Sequence, residues 1–246
     1  MGGKGVADLR IAFALSFLAG LATLVAACGS GEGSPKVQIT PLAPTPSSVP
    51  VAEPTAAVTE VRGFIFPIEG ACLPSSDDLM PNAPREYRDG IHQGIDFYGG
   101  DNCVSIVQGT PVRAAKAGRV IRAILNYHDL TWDELQALNE RLAQGEANDP
   151  DILDAFRGRQ VWVDHGGGLV TRYAHLEGIA PGINIGVTVE AGQELGYVGE
   201  SGTPESLTAP GTEYHLHFEL WAGDHYLGQG LPPDEVRALY VKAFSP

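Results

Sequence analysis

Seven histidines are spread along the 246-residue chain, and three segments give them a spacing with chemical consequences. In Tyr214-His215-Leu216-His217-Phe218-Glu219-Leu220 polar and apolar residues alternate strictly. On a strand this places His215, His217 and Glu219 on one face and Tyr214, Leu216, Phe218 and Leu220 on the other, because successive side chains point to opposite sides. Two imidazoles in that register stand about 7 Å apart at the backbone, near enough to converge on one metal ion or its water. A solvated strand face accounts for a single histidine more readily than for two beside a carboxylate. The second segment is His92-Gln93-Gly94-Ile95-Asp96. Its two ends would lie about 13 Å apart at about 3.3 Å per extended residue, but Gly94 permits a tight bend that brings them together. An imidazole with a carboxylate is a ligand pair that suits zinc. The third segment, Leu169 to Leu176, reads as a strand with Thr171, Tyr173 and His175 on one face. A lone histidine there is more often structural.

The elements that must position these groups are short and β-prone. Phe64–Pro67, Val112–Ala114, Arg119–Leu125, Gln160–Asp164, Leu169–Leu176, Thr188–Val189, Glu194–Val198 and Tyr214–Trp221 are separated by Gly and Pro. That is the pattern of an antiparallel all-β domain. One stretch departs from it. Thr131 with Glu134 forms a capping box ahead of Trp132, Leu135, Leu138 and Leu142 at helical spacing. Asp149-Pro150 opens a second short helix that Gly158 closes. Residues 127–158 therefore read as a helical insertion between two strands. A last helix is expected through Val236, Leu239 and Tyr240, capped by Asp234.

Composition narrows the class. With 43% hydrophobic and 19% charged residues the chain is globular, and 31 Gly with 18 Pro make it too turn-rich for a helical bundle. A net charge of −14 without a Lys/Arg cluster argues against nucleic acid as a partner. Residues 1–27 read as a signal peptide, with Lys4 and Arg10 ahead of an uncharged run from Ile11 to Ala27. An uncleaved anchor is the competing reading. The segment Leu24-Val25-Ala26-Ala27-Cys28 resembles the lipobox of bacterial lipoproteins. That likeness implies cleavage before Cys28, lipid on its sulfur, and a membrane anchor made stable by more than one acyl chain. Removing Lys4, Arg10 and Asp8 with the leader takes the net charge from −14 to −15. Residues 28–60 are rich in Pro, Ser and Thr and cannot build a core. As a tether of about 3.1 Å per residue they would reach up to roughly 100 Å. The domain then occupies 61–246.

Cys72 and Cys103 are left in an oxidising compartment and are expected to pair, two buried thiols being the alternative. His165, in Asp164-His165-Gly166, reads as support for a turn. His128 and His225 read as exposed. The glycine groups Gly166–Gly168 and Gly196–Gly202 lack the lysine and the following helix of a phosphate cradle, and read as turns.

Taken in order, the three histidine segments resemble the lysostaphin-type zinc endopeptidases, also called LytM-domain peptidases. That family's His-x-x-x-Asp motif falls on His92 and Asp96, and its His-x-His motif on His215 and His217. Its further histidine falls on His175, in Tyr173-Ala174-His175-Leu176. The resemblance spans residues 61–225 apart from the insertion. It implies a β-sandwich with barrel-like character, zinc held by His92, Asp96 and His217, and His175 and His215 as catalytic residues. Two histidines and a carboxylate would leave the fourth tetrahedral position open, as a hydrolytic site requires. The substrate it implies is the peptide part of peptidoglycan, cut in cross-links or stem peptides outside the cytoplasmic membrane, at its outer face or in the periplasm or wall. A non-enzymatic activator of another wall hydrolase is the alternative, since some relatives lack metal ligands, although none is missing here. A third reading makes the acidic insertion a docking arm for a protein partner, with shaping of the substrate groove as its alternative.

Overall fold

The alternating segment around His217 forms the strand on which the site is built. The computed structural model describes residues 60–246; the expected signal peptide 1–27, Cys28 and the expected tether, up to residue 59, lie outside the described residues. In chain order the strands are β1 (Pro84–Arg85), β2 (Gly90–Ile91), β3 (Ile95–Tyr98), β4 (Pro111–Arg113), β5 (Gly118–Ala123), β6 (Val161–Asp164), β7 (Leu169–Ala174), β8 (Leu176–Ile179), β9 (Thr188–Val189), β10 (Glu194–Val198), β11 (His215–Ala222) and β12 (His225–Tyr226). The helices are α1 (Trp132–Ala143), α2 (Pro150–Arg157), the short α3 (Glu205–Thr208) and α4 (Pro233–Ala243).

Every pairing between these strands is antiparallel. The larger sheet runs β12-β11-β7-β6-β5-β9, with β3 also paired to β11. The smaller sheet is β4-β10-β8. The larger one ends at β9 without returning to its start, so among the described residues the antiparallel sheets close no barrel. One apolar cluster joins them: Val112, Leu195 and Val198 from the small sheet meet Val120, Val161, Val163, Tyr173, Leu216, Phe218 and Leu220 from the large one. Truncating one of these, such as Phe218 to Ala, is expected to cost about 3–5 kcal/mol. Among the described residues no helix is long and apolar enough to cross a membrane.

The helical insertion follows its local signals. Thr131 accepts from the Glu134 amide while the Glu134 carboxylate accepts from the Thr131 amide, closing the capping box. Asp149 caps α2, and Gly158 ends it with φ 63°. Leu138, Ile152 and Phe156 make a separate small core with Leu130, Leu142 and Ala155. The insertion leaves β5 and re-enters at β6, where Ala123 and Val161 face each other across the ladder.

Three local expectations need correction. Phe64–Pro67 forms no strand, because its amides are claimed by different elements, Phe64 by the Ala243 carbonyl and Ile65 by that of Ala115. The final helix is capped at Pro232, with Asp234 inside its first turn, because Pro233 supplies the fixed first-turn backbone. The stretch Leu169–Leu176 breaks into two strands at His175, whose φ is +59°.

Candidate metal centre

β11 lies between β3 and β7, and register alone assembles most of the site. Asp96 on β3 and Ala174 on β7 both stand opposite His217. Arg172 on β7 stands opposite Glu219. His215, His217 and Glu219 share the outer face as the alternation requires, while Leu216, Phe218 and Leu220 are fully buried in the core. His92 precedes β3, its amide donating to the Ala83 carbonyl and its carbonyl accepting from Asn82.

Gly94 serves this arrangement in a different way from the bend expected of it. Its backbone is not in the left-handed region. A Cβ there would stand 2.4 Å from the Phe218 carbonyl oxygen and 3.0 Å from Glu219 Cγ. Glycine is required for the close approach of the first motif to β11.

Three donor atoms converge. His92 Nε2 lies 3.0 Å from His217 Nδ1 and 2.9 Å from Asp96 Oδ1, and His217 Nδ1 lies 2.7 Å from the same oxygen. Their outer atoms fix which electrons face inward. His92 Nδ1–H donates to the Met80 carbonyl at 2.9 Å, so Nε2 presents its lone pair. His217 Nε2–H donates to Glu219 Oε1 at 3.0 Å, so Nδ1 does the same. Arg85 Nη2 donates to Asp96 Oδ2 at 2.7 Å, which leaves Oδ1 for the centre. Two imidazole lone pairs and a carboxylate oxygen face one another in a buried place, an arrangement that needs positive charge between them. The edges of this triangle, 2.7 to 3.0 Å, approach the roughly 3.3 Å edge of a tetrahedron with bonds of about 2.0–2.1 Å. The residues present therefore fit zinc, with small outward adjustment.

The electrostatics agree with that donor set. Burial, with help from His217 and Arg85, pushes His92 down to about 4 against the pull of Asp96, so its imidazole is neutral as a ligand must be. Burial alone would raise the Asp96 carboxyl, but His92 and His217 hold it well below the ordinary carboxylate range. For His217 burial works downward and is outweighed by the Asp96 and Glu219 carboxylates, which raise it. Glu219 is itself fully buried. Burial opposes its charge, yet Arg157, His217 and Arg172 hold it far below the usual carboxyl value. The Arg172 guanidinium is stacked between the rings of Trp162 and Trp221, 3.9 Å from each centroid.

His175 and His215 stand beside the triangle, their ring centroids 4.6 Å apart. His215 Nδ1–H donates to the Glu213 carbonyl at 2.7 Å, and its ring stacks on Tyr98. His175 Nδ1–H donates to the Ser201 carbonyl at 2.9 Å. Each thus offers a bare Nε2, that of His215 being 3.8 Å from Asp96 Oδ1. Burial, reinforced by neighbouring imidazoles, pushes both below the ordinary histidine value, so both are neutral near pH 7.

His175 does not share its face with Thr171 and Tyr173. Those two point into the core, where the Ala115 amide and the Thr171 hydroxyl donate to the Tyr173 hydroxyl oxygen. Strict alternation would bury His175 with them; its left-handed backbone turns it to the site instead. Tyr173 therefore does not border the site. Of the other histidines, His165 bridges the Ala117 carbonyl and the Thr171 hydroxyl, while His128 and His225 are exposed. Cys72 and Cys103 form a disulfide.

The sequence did not single out Arg85, Arg157 or Tyr98, and it placed Glu219 on the right face without a role. Only Glu219 carried a signal, its position in the alternating strand. At the centre opens a cleft of about 250 Å³, lined among others by Arg85, Tyr87, Tyr98, Leu153, Phe156 and Thr203.

Residues 143–228 match the model for Peptidase family M23. The matched span holds His175, His215 and His217, while His92 and Asp96 lie ahead of it. No curated protein matches the chain. Among solved structures it is similar to a zinc-containing peptidase from Vibrio cholerae, at 21% identity and a TM-score of 0.43, over 70% of this chain and 41% of that one. It is similar to the catalytic domain of a prophage-encoded M23 protein from Enterococcus faecalis, at 22% identity and a TM-score of 0.40, over 71% and 95% of the two chains. The catalytic domain of lysostaphin from Staphylococcus simulans is matched at 23% identity and a TM-score of 0.35, over 56% and 71%. The chain thus spans well under half the length of the Vibrio protein.

Proposed function

We propose that this chain is an exported, lipid-anchored zinc endopeptidase that hydrolyses peptide bonds in peptidoglycan cross-links or stem peptides. The observation that carries the reading is the triangle of His92 Nε2, Asp96 Oδ1 and His217 Nδ1 beside two neutral imidazoles with bare Nε2 atoms. Zinc, when bound there, supplies the Lewis acidity that activates water and polarises a scissile carbonyl. His215 Nε2 takes the proton of the attacking water, and its Nδ1–H bond to Glu213 O keeps the accepting nitrogen aimed. The proton that His215 takes is returned to the leaving amine, and His175 Nε2, bare in the neutral ring, accepts a hydrogen bond from the attacking water and holds it in place. The match to Peptidase family M23 supports a peptide as substrate. The lipobox-like sequence ending at Cys28 supports lipidation, and residues 28–60 would hold the domain off the membrane toward the wall.

The test is mass spectrometry of fragments released from purified sacculi by the full-length chain, with zinc and with a chelator. Zinc-dependent release of peptide-cleaved fragments is expected. A zinc-loaded chain that releases nothing would instead favour the activator reading. Labelled palmitate should enter the wild-type chain in cells and not the Cys28→Ser variant; label in both would remove the lipid assignment.

A further inference from the structure

We infer that Arg157, the last residue of the inserted helix α2, is a positioning residue for the metal centre, tying the insertion to all three histidine segments at once. The inference rests on the reading of His92, Asp96 and His217 as ligands.

Three contacts carry it. Arg157 Nε donates to Glu219 Oε1 at 2.6 Å, the same oxygen that receives His217 Nε2–H. Arg157 Nη2 donates to the side-chain oxygen of Gln93 at 2.7 Å, inside the His92–Asp96 segment. The Arg157 carbonyl accepts from the His175 amide at 2.9 Å, at the residue whose left-handed backbone turns its ring to the site. Arg157 is buried, so these bonds form away from competing water.

Its own position is fixed by a close backbone crossing. A Cβ on Gly158 would stand 2.2 Å from the Ser201 carbonyl oxygen, and one on Gly202 would stand 2.5 Å from the Gly158 nitrogen. That Ser201 carbonyl is the acceptor of His175 Nδ1–H. The end of α2 therefore presses on the same turn that orients His175, while its guanidinium holds the carboxylate behind His217. Without Arg157, Glu219 keeps Arg172 as its one arginine partner among the described residues, at 3.2 Å on its other oxygen Oε2, where Trp221 Nε1–H also donates. The carboxylate is then drawn away from His217, and the imidazole loses the backing that fixes its tautomer. A group standing behind a metal-bound histidine commonly affects metal affinity by about 10–100-fold.

The experiment measures zinc affinity by competition with a fluorescent chelator on the full-length chain, together with the visible spectrum of the cobalt-substituted form and the melting temperature of the zinc-free form. Arg157→Met should weaken zinc by about 10–100-fold and alter the cobalt spectrum. Arg157→Lys, which keeps the charge but not the fork, should fall between it and wild type and guards against a Met variant that does not fold. Asp154→Asn is the control: it breaks the pair that holds α2 to Arg122 on β5 without touching the histidine segments. It should lower the melting temperature and leave affinity and spectrum unchanged. Wild-type affinity and spectrum in both Arg157 variants would overturn the inference. So would an equal loss of affinity in Asp154→Asn, which would make Arg157 merely a fastening. A wild-type chain that takes no zinc at this place would sink the metal reading itself, a separate result.

Discussion

The two halves of the histidine cluster are held in opposite ways. In the ligand half every outer atom is tied off, with His217 backed by the Glu219 carboxylate, Asp96 by Arg85, and His92 by the Met80 carbonyl. Two of these three supports are ionic. In the other half His175 and His215 are each held by one backbone carbonyl, with no carboxylate behind the ring. A carboxylate behind an imidazole raises its basicity and strengthens its grip on a cation. A carbonyl sets the tautomer but leaves the ring neutral and able to take and return a proton. The same residue type is thus assigned to holding charge or to passing protons by what stands behind it.

The sharpest way to break this comparison is to remove one histidine from each half. His217→Ala should lose zinc and activity together. His215→Ala should keep zinc and lose activity by about 10²–10⁴-fold, read by metal content and by peptide release. Equal metal loss in both would erase the distinction. Gly94→Ala attacks the geometry of the ligand half alone. Its Cβ would collide with the Phe218 carbonyl, so β3 must separate from β11, and both zinc content and melting temperature should fall. A fully zinc-loaded variant would show that the approach can relax.

A smaller effect is expected from the disulfide, whose partners are 31 residues apart. Replacing Cys72 and Cys103 by Ser should cost about 3.7 kcal/mol by loop entropy, seen in denaturant unfolding, with zinc affinity preserved. Loss of zinc would show that the bridge holds the ligands and not only the chain. The finest test counts protons. The His217 value lies above the ordinary 6.5 in the zinc-free chain, so its protonated form is favoured below that raised value and is lost as pH climbs through it. Zinc uptake near pH 6.5 should therefore release a proton from His217, and the release should fade at higher pH. His175 and His215, already neutral, should contribute none. Calorimetry in buffers of different ionisation enthalpy measures the count; no release near pH 6.5 would remove the contrast between the halves.

What could be read from the sequence was what depends on period and local caps. The face of β11 that carries His215, His217 and Glu219, the antiparallel strands, and the two inserted helices with their caps at Thr131 and Asp149 all follow from neighbours a few residues away. What could not be read depends on contacts made across the fold. His175 sits one step out of the alternation that places Tyr173, and only its left-handed backbone, bonded at its amide to Arg157, sends it to the site. Gly94 marks a crossing with a strand more than a hundred residues away. Arg85 and Arg157 have no neighbours in sequence that distinguish them from the chain's other arginines. Phe64–Pro67 has the composition of a strand but meets two different partners and so builds no ladder.

The insertion begins and ends at one rung of the β5–β6 ladder, where Ala123 faces Val161 and the Ile124 amide reaches the Gln160 carbonyl. A tight hairpin turn could join those two strands directly, so the architecture can lose these helices at little cost to its topology. The metal centre inferred above would not survive that loss intact, because Arg157 would leave with them. If that inference holds, a version of this chain without the insertion should keep its fold and lose its grip on zinc.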